Sequence, residues 1–216
     1  MTRTFQAIIW DFGGVFTSSP FEAFNRYEAA AGLPVDFIRT VNSVNPLENA
    51  WAKLEQSHVD ADGFDELFRI EANALGHDVR GRDILGLLSG NLRPRVVHAL
   101  KVCKTKGKVG CITNNAPIGK GASMTQDDAK AKEIAAVFDQ FDHLIESSKL
   151  GIRKPDPRIY ALMCEALDVD PKACVYLDDL GINLKPARDM GMATIKVTGE
   201  EQLITDLEAL TGYALR

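Results

Sequence analysis

The stretch Phe5-Gln6-Ala7-Ile8-Ile9-Trp10-Asp11-Phe12-Gly13-Gly14 is an apolar run that ends in an acid and two glycines. A near-continuous run of this length, without polar alternation, reads as a strand buried on both faces that empties into a tight turn. The same shape recurs along the chain: further strands are predicted at Lys108–Thr113, His143–Glu146, Ala173–Leu177 and Ala193–Val197. Between them lie helical patterns. Val96, Val97, Leu100 and Cys103 share one face, and Lys101, Lys104 and Lys106 suit the carboxyl end of that helix before Gly107. Asp156-Pro157 reads as an N-cap followed by proline at the first helical position, with Ile159, Tyr160, Met163 and Leu167 at helical spacing behind it. Leu184–Met190 is a short helix closed by Gly191. Repeated strand–helix–strand units of this size predict a doubly wound α/β fold with a parallel sheet covered on both faces.

Residues 20 to 90 break the rhythm. They carry helical patterns at Phe21–Ala31, Asp36–Val44, Glu48–Ser57, Asp62–Leu75 and Gly81–Leu88 and no convincing strand. About 70 residues is far more than one crossover between parallel strands needs. A small helical lobe, residues 18–91, is therefore expected to be inserted into a core made of residues 1–17 and 92–216. The segment Asn115–Thr125, with Pro117, Gly119 and Gly121, is the one long loop; it is expected to be mobile and close to the site.

Composition sets the limits. The chain has 216 residues, 25 Lys and Arg against 30 Asp and Glu, and a net charge of −5. That balance gives no electrostatic footprint for nucleic acid or an anionic membrane. No apolar stretch approaches the roughly 18 residues of a membrane span, and the amino terminus lacks a secretory pattern, so a cytoplasmic location is expected. Cys103, Cys111, Cys164 and Cys174 form no C-x-x-C pair and are expected to be buried free thiols. His58, His77, His98 and His143 are scattered without zinc-ligand spacing.

In open parallel sheets, ligands bind beyond the carboxyl ends of the strands. The first strand delivers Asp11 there, the second Thr113 and Asn114, the third leads toward Lys154, and the fourth ends in Asp178-Asp179. Acidic strand ends suit a divalent cation with oxygen ligands, whereas a lysine and backbone amides suit a phosphate. Each signal alone has an ordinary structural explanation in a turn or a cap. Adjacent carboxylates after an apolar strand are the least ordinary, being costly unless a cation or proton compensates. Their joint order along four strands is what points to a phosphate bridged to a metal.

These residues resemble the haloacid dehalogenase superfamily of hydrolases. Asp11-Phe12-Gly13-Gly14-Val15 is similar to its first motif, Cys111-Ile112-Thr113-Asn114 to its second, Arg153-Lys154-Pro155-Asp156-Pro157-Arg158-Ile159-Tyr160 to its third and Val175-Tyr176-Leu177-Asp178-Asp179 to its fourth. The run from Leu177 to Arg188 resembles the amino-terminal phosphatase domain of soluble epoxide hydrolases. The resemblance implies a Rossmann-like sheet with the helical lobe as an α-helical cap. It implies a Mg²⁺-dependent phosphatase acting on a small phosphorylated metabolite, with Asp11 as the nucleophile. Gly14, Thr113, Asn114 and Lys154 would hold the phosphoryl group. Asp11, the Gly13 carbonyl and Asp179 would bind Mg²⁺, and Asp178 would either orient Lys154 or stand behind the ligands without touching the ion. A carboxylate attacking a phosphate dianion needs that charge neutralised, which Mg²⁺ and Lys154 would supply.

One position departs from the family pattern. Where its phosphatases carry a second Asp as general acid and base, this chain has Gly13. Two other readings follow: a metal-independent 2-haloacid dehalogenase, whose relatives also lack that Asp, and a phosphate-binding module that has lost turnover. Within the phosphatase reading, a missing acid predicts slow departure of strongly basic leaving groups. In the lobe, Arg26, Tyr27, Asn45 and Trp51 are candidates for substrate contact or for structure.

Overall fold

The computed structural model describes residues 4–120 and 124–216. Five parallel strands form one sheet in the order β3-β2-β1-β4-β5: β1 Ala7–Trp10, β2 Lys108–Thr113, β3 His143–Glu146, β4 Cys174–Asp178 and β5 Ala193–Lys196. The apolar run of β1 is explained by its position at the centre. Ile8 and Trp10 face one core together with Val175 and Leu177, while Ala7 and Ile9 face the other with Cys174 and Tyr176. Each of these side chains contributes about 1.5–3 kcal/mol when fully buried, if apolar and of Val to Phe size.

Helices α6 (Pro94–Lys104), α7 (Asp128–Phe138) and α11 (Glu200–Thr211) cover the first face. Helices α9 (Pro157–Leu167) and α10 (Gly181–Asp189) cover the second, and the short α8 (Ser147–Leu150) follows β3. Asp156 caps α9 by accepting from the Arg158 amide at 2.9 Å, as the Asp-Pro pair predicts. Helices α7 and α11 go beyond the sequence reading. Of the α7 residues only Ile134 and Val137 are buried, so its apolar stripe is thin. All four cysteines are buried thiols outside any disulfide.

The inserted lobe comprises α1 (Pro20–Ala31), α2 (Phe37–Ser43), α3 (Ala50–Glu55), α4 (Ala61–Ala74) and α5 (Gly81–Leu85). Its own core gathers Phe24, Ile38, Leu54, Phe64 and Phe68. Helices α2, α3 and α5 are shorter than their patterns predict, α3 because a side chain caps it. Asn49 accepts from Ala52 N at 2.9 Å, starting α3 two residues late, and buried Glu28 accepts from Asp36 N and Ile38 N at 2.9 Å each. Asp65 on α4 is buried against Arg80 and Arg82 and joins α4 to the start of α5. The chain enters and leaves the lobe side by side: Thr17 bridges Leu92, Ser18 N donates to Asn91 O at 2.8 Å, and Arg93 N to Phe16 O at 2.7 Å.

The predicted long loop is anchored at its first end. Asn115 is buried, donating through Nδ2 to Glu146 Oε1 at 3.0 Å and through its backbone amide to Ser147 Oγ at 3.1 Å. Residues 121–123 of that loop lie outside the described residues. Among the described residues, no helix is long and apolar enough to cross a membrane.

Candidate active site

Strand order reverses between β1 and β4, and the crevice at such a switch point is where this class of sheet binds ligands. Register places the expected residues there together. Trp10 pairs with both Cys111 and Leu177, so Asp11 emerges level with the ends of β2 and β4. The Asp11 amide continues the ladder to Leu177 O at 2.8 Å.

Lys154 reaches into the crevice from the loop before α9 and is fully buried. Its Nζ lies 2.7 Å from Asp11 Oδ1 and 2.9 Å from Asp178 Oδ2. Burial pulls the ammonium pKa down, but Asp11 and Asp178 outweigh it and hold the pKa above the ordinary lysine value. Asp11 moves the other way. Burial raises its pKa well above the ordinary range, Lys154 opposes, and Asp178 and Asp179 add repulsion. Asp11 Oδ1 also accepts from Phe12 N at 2.7 Å. Both donors engage Oδ1, and Oδ2 has no hydrogen-bond donor among the described residues.

Asp178 is engaged on every side. It accepts from Lys154, from Tyr176 Oη at 2.6 Å, from Leu180 N at 2.8 Å and from Asn183 Nδ2 at 3.0 Å. Its bond to the Lys154 ammonium is the contact that an orienting role would need. Asp179 is half-buried, and its pKa is pushed up to about 6 by burial and by Asp178, with Lys154 opposing. Oxygens of Asp11, Asp178 and Asp179 all lie within 4.8 Å of one another. Three carboxyl groups around one ammonium leave a surplus of negative charge. That hard-oxygen donor set fits Mg²⁺.

Gly14 sits at φ +73°, and a Cβ there would lie 2.2 Å from Asp179 Oδ2, so both backbone shape and space require glycine. Its amide donates to Thr17 Oγ1 at 3.2 Å, so a phosphoryl oxygen would compete with Thr17 for it. Thr113 is buried at the end of β2. The Asn114 carboxamide is committed to the Lys154 backbone, donating to its carbonyl at 3.0 Å and accepting from its amide at 2.9 Å. A phosphate contact from Asn114 would therefore have to come from its backbone amide. A Cβ on Gly13 would meet nothing within 4 Å.

A cavity of about 640 Å³ extends from these residues to the lobe. Its upper walls are largely apolar, with Phe21, Phe24, Leu47, Trp51, Met124 and Ile182 among them. Of the lobe candidates only Trp51 lines it; the Tyr27 hydroxyl instead faces Asp83. Two contributors escape sequence reasoning. Arg93 Nη1 holds Gly14 O at 2.7 Å, fixing the turn. Arg153 ties lobe to core, donating to Pro46 O at 2.8 Å and lying 2.6 Å from Glu55 Oε2.

This fold and this strand-end constellation define a hydrolase of the haloacid dehalogenase type. The sequence model of the haloacid dehalogenase-like hydrolase family matches residues 5–191, and the chain belongs to that family. Mouse acyl-CoA dehydrogenase family member 10 is 31% identical over 99% of the chain, and mouse bifunctional epoxide hydrolase 2 is 32% identical over 88%. The chain spans only 20% and 36% of those two proteins. Phosphatase MT3486 of Mycobacterium tuberculosis is 28% identical, with 94% of each chain covered. Among solved structures, a Bacteroides thetaiotaomicron family enzyme in complex with magnesium and inorganic phosphate shares the fold (TM-score 0.57, 20% identity, 91% of this chain and 96% of that one). So does the L-2-haloacid dehalogenase of Xanthobacter autotrophicus (TM-score 0.61, 21% identity, 97% and 83%).

Proposed function

We propose that the protein is a Mg²⁺-dependent phosphatase that cleaves a phosphate monoester with an apolar body through an aspartyl-phosphate on Asp11. The observation that carries this reading is the buried Lys154 ammonium held between Asp11 and Asp178, with Asp179 adding further negative charge beside it. An ammonium receives a phosphoryl group, and surplus carboxylate calls for a cation; an organic acid substrate would be repelled. Asp11 Oδ2 attacks phosphorus while Lys154 and Thr113 hold the phosphoryl oxygens, with the backbone amides of Gly14 and Asn114 alongside. Asp11, Asp179 and the Gly13 carbonyl would hold Mg²⁺, which when bound neutralises phosphoryl charge. Residues 18–91 act as the cap, and the apolar cavity walls seat the substrate's body.

Gly13 favours a second reading, metal-independent hydrolysis of 2-haloacids by the same Asp11. A screen of phosphate monoesters of graded apolar size and of 2-haloacids, each with and without Mg²⁺, separates the two. Turnover of the larger apolar phosphates that EDTA removes is the expected result. Halide release unaffected by EDTA would overturn the phosphatase reading.

A further inference from the structure

Resting on the phosphatase reading, we propose that Glu55, on the lobe helix α3, is the catalytic acid and base that replaces the carboxyl missing at Gly13. The leaving oxygen joins phosphorus to the substrate's body, and that body lies toward the lobe, so the proton donor belongs on the lobe side. The charged residues lining the cavity among those described are Asp11, Arg39, Glu55, Arg153, Lys154 and Asp179; no histidine, cysteine or tyrosine lines it. Arginine does not give up its proton near neutrality. Asp11 is the nucleophile, Lys154 is pinned between carboxylates, and Asp179 lies on the core floor against Gly14. Glu55 remains.

Its setting suits the task. The side chain is only 16% exposed, and burial raises its pKa against the charges of Arg153 and Lys154. Asn114, the residue after β2, lies close enough to offer the Glu55 carboxyl a hydrogen bond. Oε2 is 2.6 Å from Arg153 Nε, and Arg153 and Asn114 favour the carboxylate while burial favours the neutral acid. Burial prevails, so Glu55 can hold a proton, and Arg153 steadies the carboxylate once the proton has gone.

The step balances. Asp11 Oδ2 forms a bond to phosphorus, the phosphorus–alkoxide bond breaks toward the leaving oxygen, and the Glu55 proton neutralises that oxygen as alcohol. In the second half, the Glu55 carboxylate takes a proton from water as the water oxygen bonds to phosphorus, the bond from phosphorus to Asp11 Oδ2 breaks, and phosphate leaves with the Asp11 carboxylate and the Glu55 acid restored.

The test compares Glu55→Gln with wild type on 4-nitrophenyl phosphate and 2-phenylethyl phosphate with Mg²⁺, following alcohol release in a single turnover. A positioned acid is worth about 10²–10⁴-fold when the leaving group is strongly basic. Glu55→Gln is expected to slow the alkyl ester at least about 100-fold more than the aryl ester. Adding Gly13→Asp, which has open space at its Cβ, should recover much of the alkyl rate. Glu55→Asp, which keeps the charge facing Arg153, should show the same selective loss in milder form if Glu55→Gln folds poorly. Equal losses on both esters, or none, would overturn the proposal, because a contact that merely seats the lobe does not sense leaving-group basicity. A wild type that turns over neither ester overturns the phosphatase reading itself.

Discussion

A Cβ placed on Gly14 would stand 2.2 Å from Asp179 Oδ2, closer than any real side chain approaches. The turn after β1 and the end of β4 are thus fitted to one another through a missing methyl group. Gly14→Ala must either displace the Asp179 carboxylate or unwind a turn at φ +73°, where a Cβ costs about 1–2 kcal/mol. We expect Mg²⁺ affinity and turnover to fall by at least about tenfold, since one lost carboxylate contact of about 1.4 kcal/mol is a factor of ten. Calorimetric titration with Mg²⁺ measures it; wild-type affinity in the variant would show that Asp179 does not hold the cation.

Asp11→Asn should abolish turnover, by at least about 10³-fold, because an amide is a poor nucleophile toward phosphorus. The fold should survive, since Asn still occupies the same volume beside Lys154. Steady-state kinetics on protein checked for deamidation by mass spectrometry decides the matter.

Lys154→Met should fail in a different way. It removes the cation that Asp11 and Asp178 share, leaving buried carboxylates uncompensated, which costs about 3–5 kcal/mol when one partner of a buried pair is removed. The variant is expected to lose activity and also to unfold at markedly lower denaturant concentration. Adding Mg²⁺ should return part of that stability, and a urea melt with and without the cation reads both effects.

Wild-type stability should itself rise with Mg²⁺, because a cation relieves repulsion among Asp11, Asp178 and Asp179. At one hundred times its dissociation constant a ligand adds about 2.7 kcal/mol. Asp179→Asn should remove most of the thermal shift while keeping the sheet intact; an undiminished shift would place the cation elsewhere.

Asp65 provides a pH signature in the lobe. Hydrogen bonding from Arg80, helped by the Arg82 amide and side chain against the cost of burial, holds its carboxyl well below the usual range. A depressed folded-state pKa stabilises above the unfolded value of about 3.9, and that contribution disappears as pH falls below about 4. Asp65→Asn should cost about 1–2 kcal/mol at pH 7, the low end for hydrogen bonds to charged groups because both arginines are partly solvated. Melting curves should show the gap between variant and wild type closing from pH 4 downward.

The core and the strand-end residues were legible because both rest on local pattern. An apolar run such as Ile8-Ile9-Trp10 announces burial, and the next residue must emerge at the sheet edge, so Asp11, Thr113 and Asp178 could be placed without knowing strand order. What stayed hidden depends on contacts distant in sequence. Glu55 lies within a helical pattern like any exposed acid, and only the fold brings Arg153 against it. The Asn114 carboxamide is spent on the Lys154 backbone, a tie that no local pattern announces. Helix α7 went unread because so little of its face is apolar.

The paired crossing at Thr17–Leu92, with Ser18 N on Asn91 O, has a topological consequence. Because the chain leaves the core and re-enters it at nearly the same point, the path from β1 to α6 is already closed without the intervening helices. The seam is therefore a graft point. A helical insert of different length or shape could be spliced between Ser18 and Asn91 without shifting the register of any strand. Selectivity for the organic half of the substrate can then change by exchange of a whole segment, provided the new segment brings its own acid to the place of Glu55.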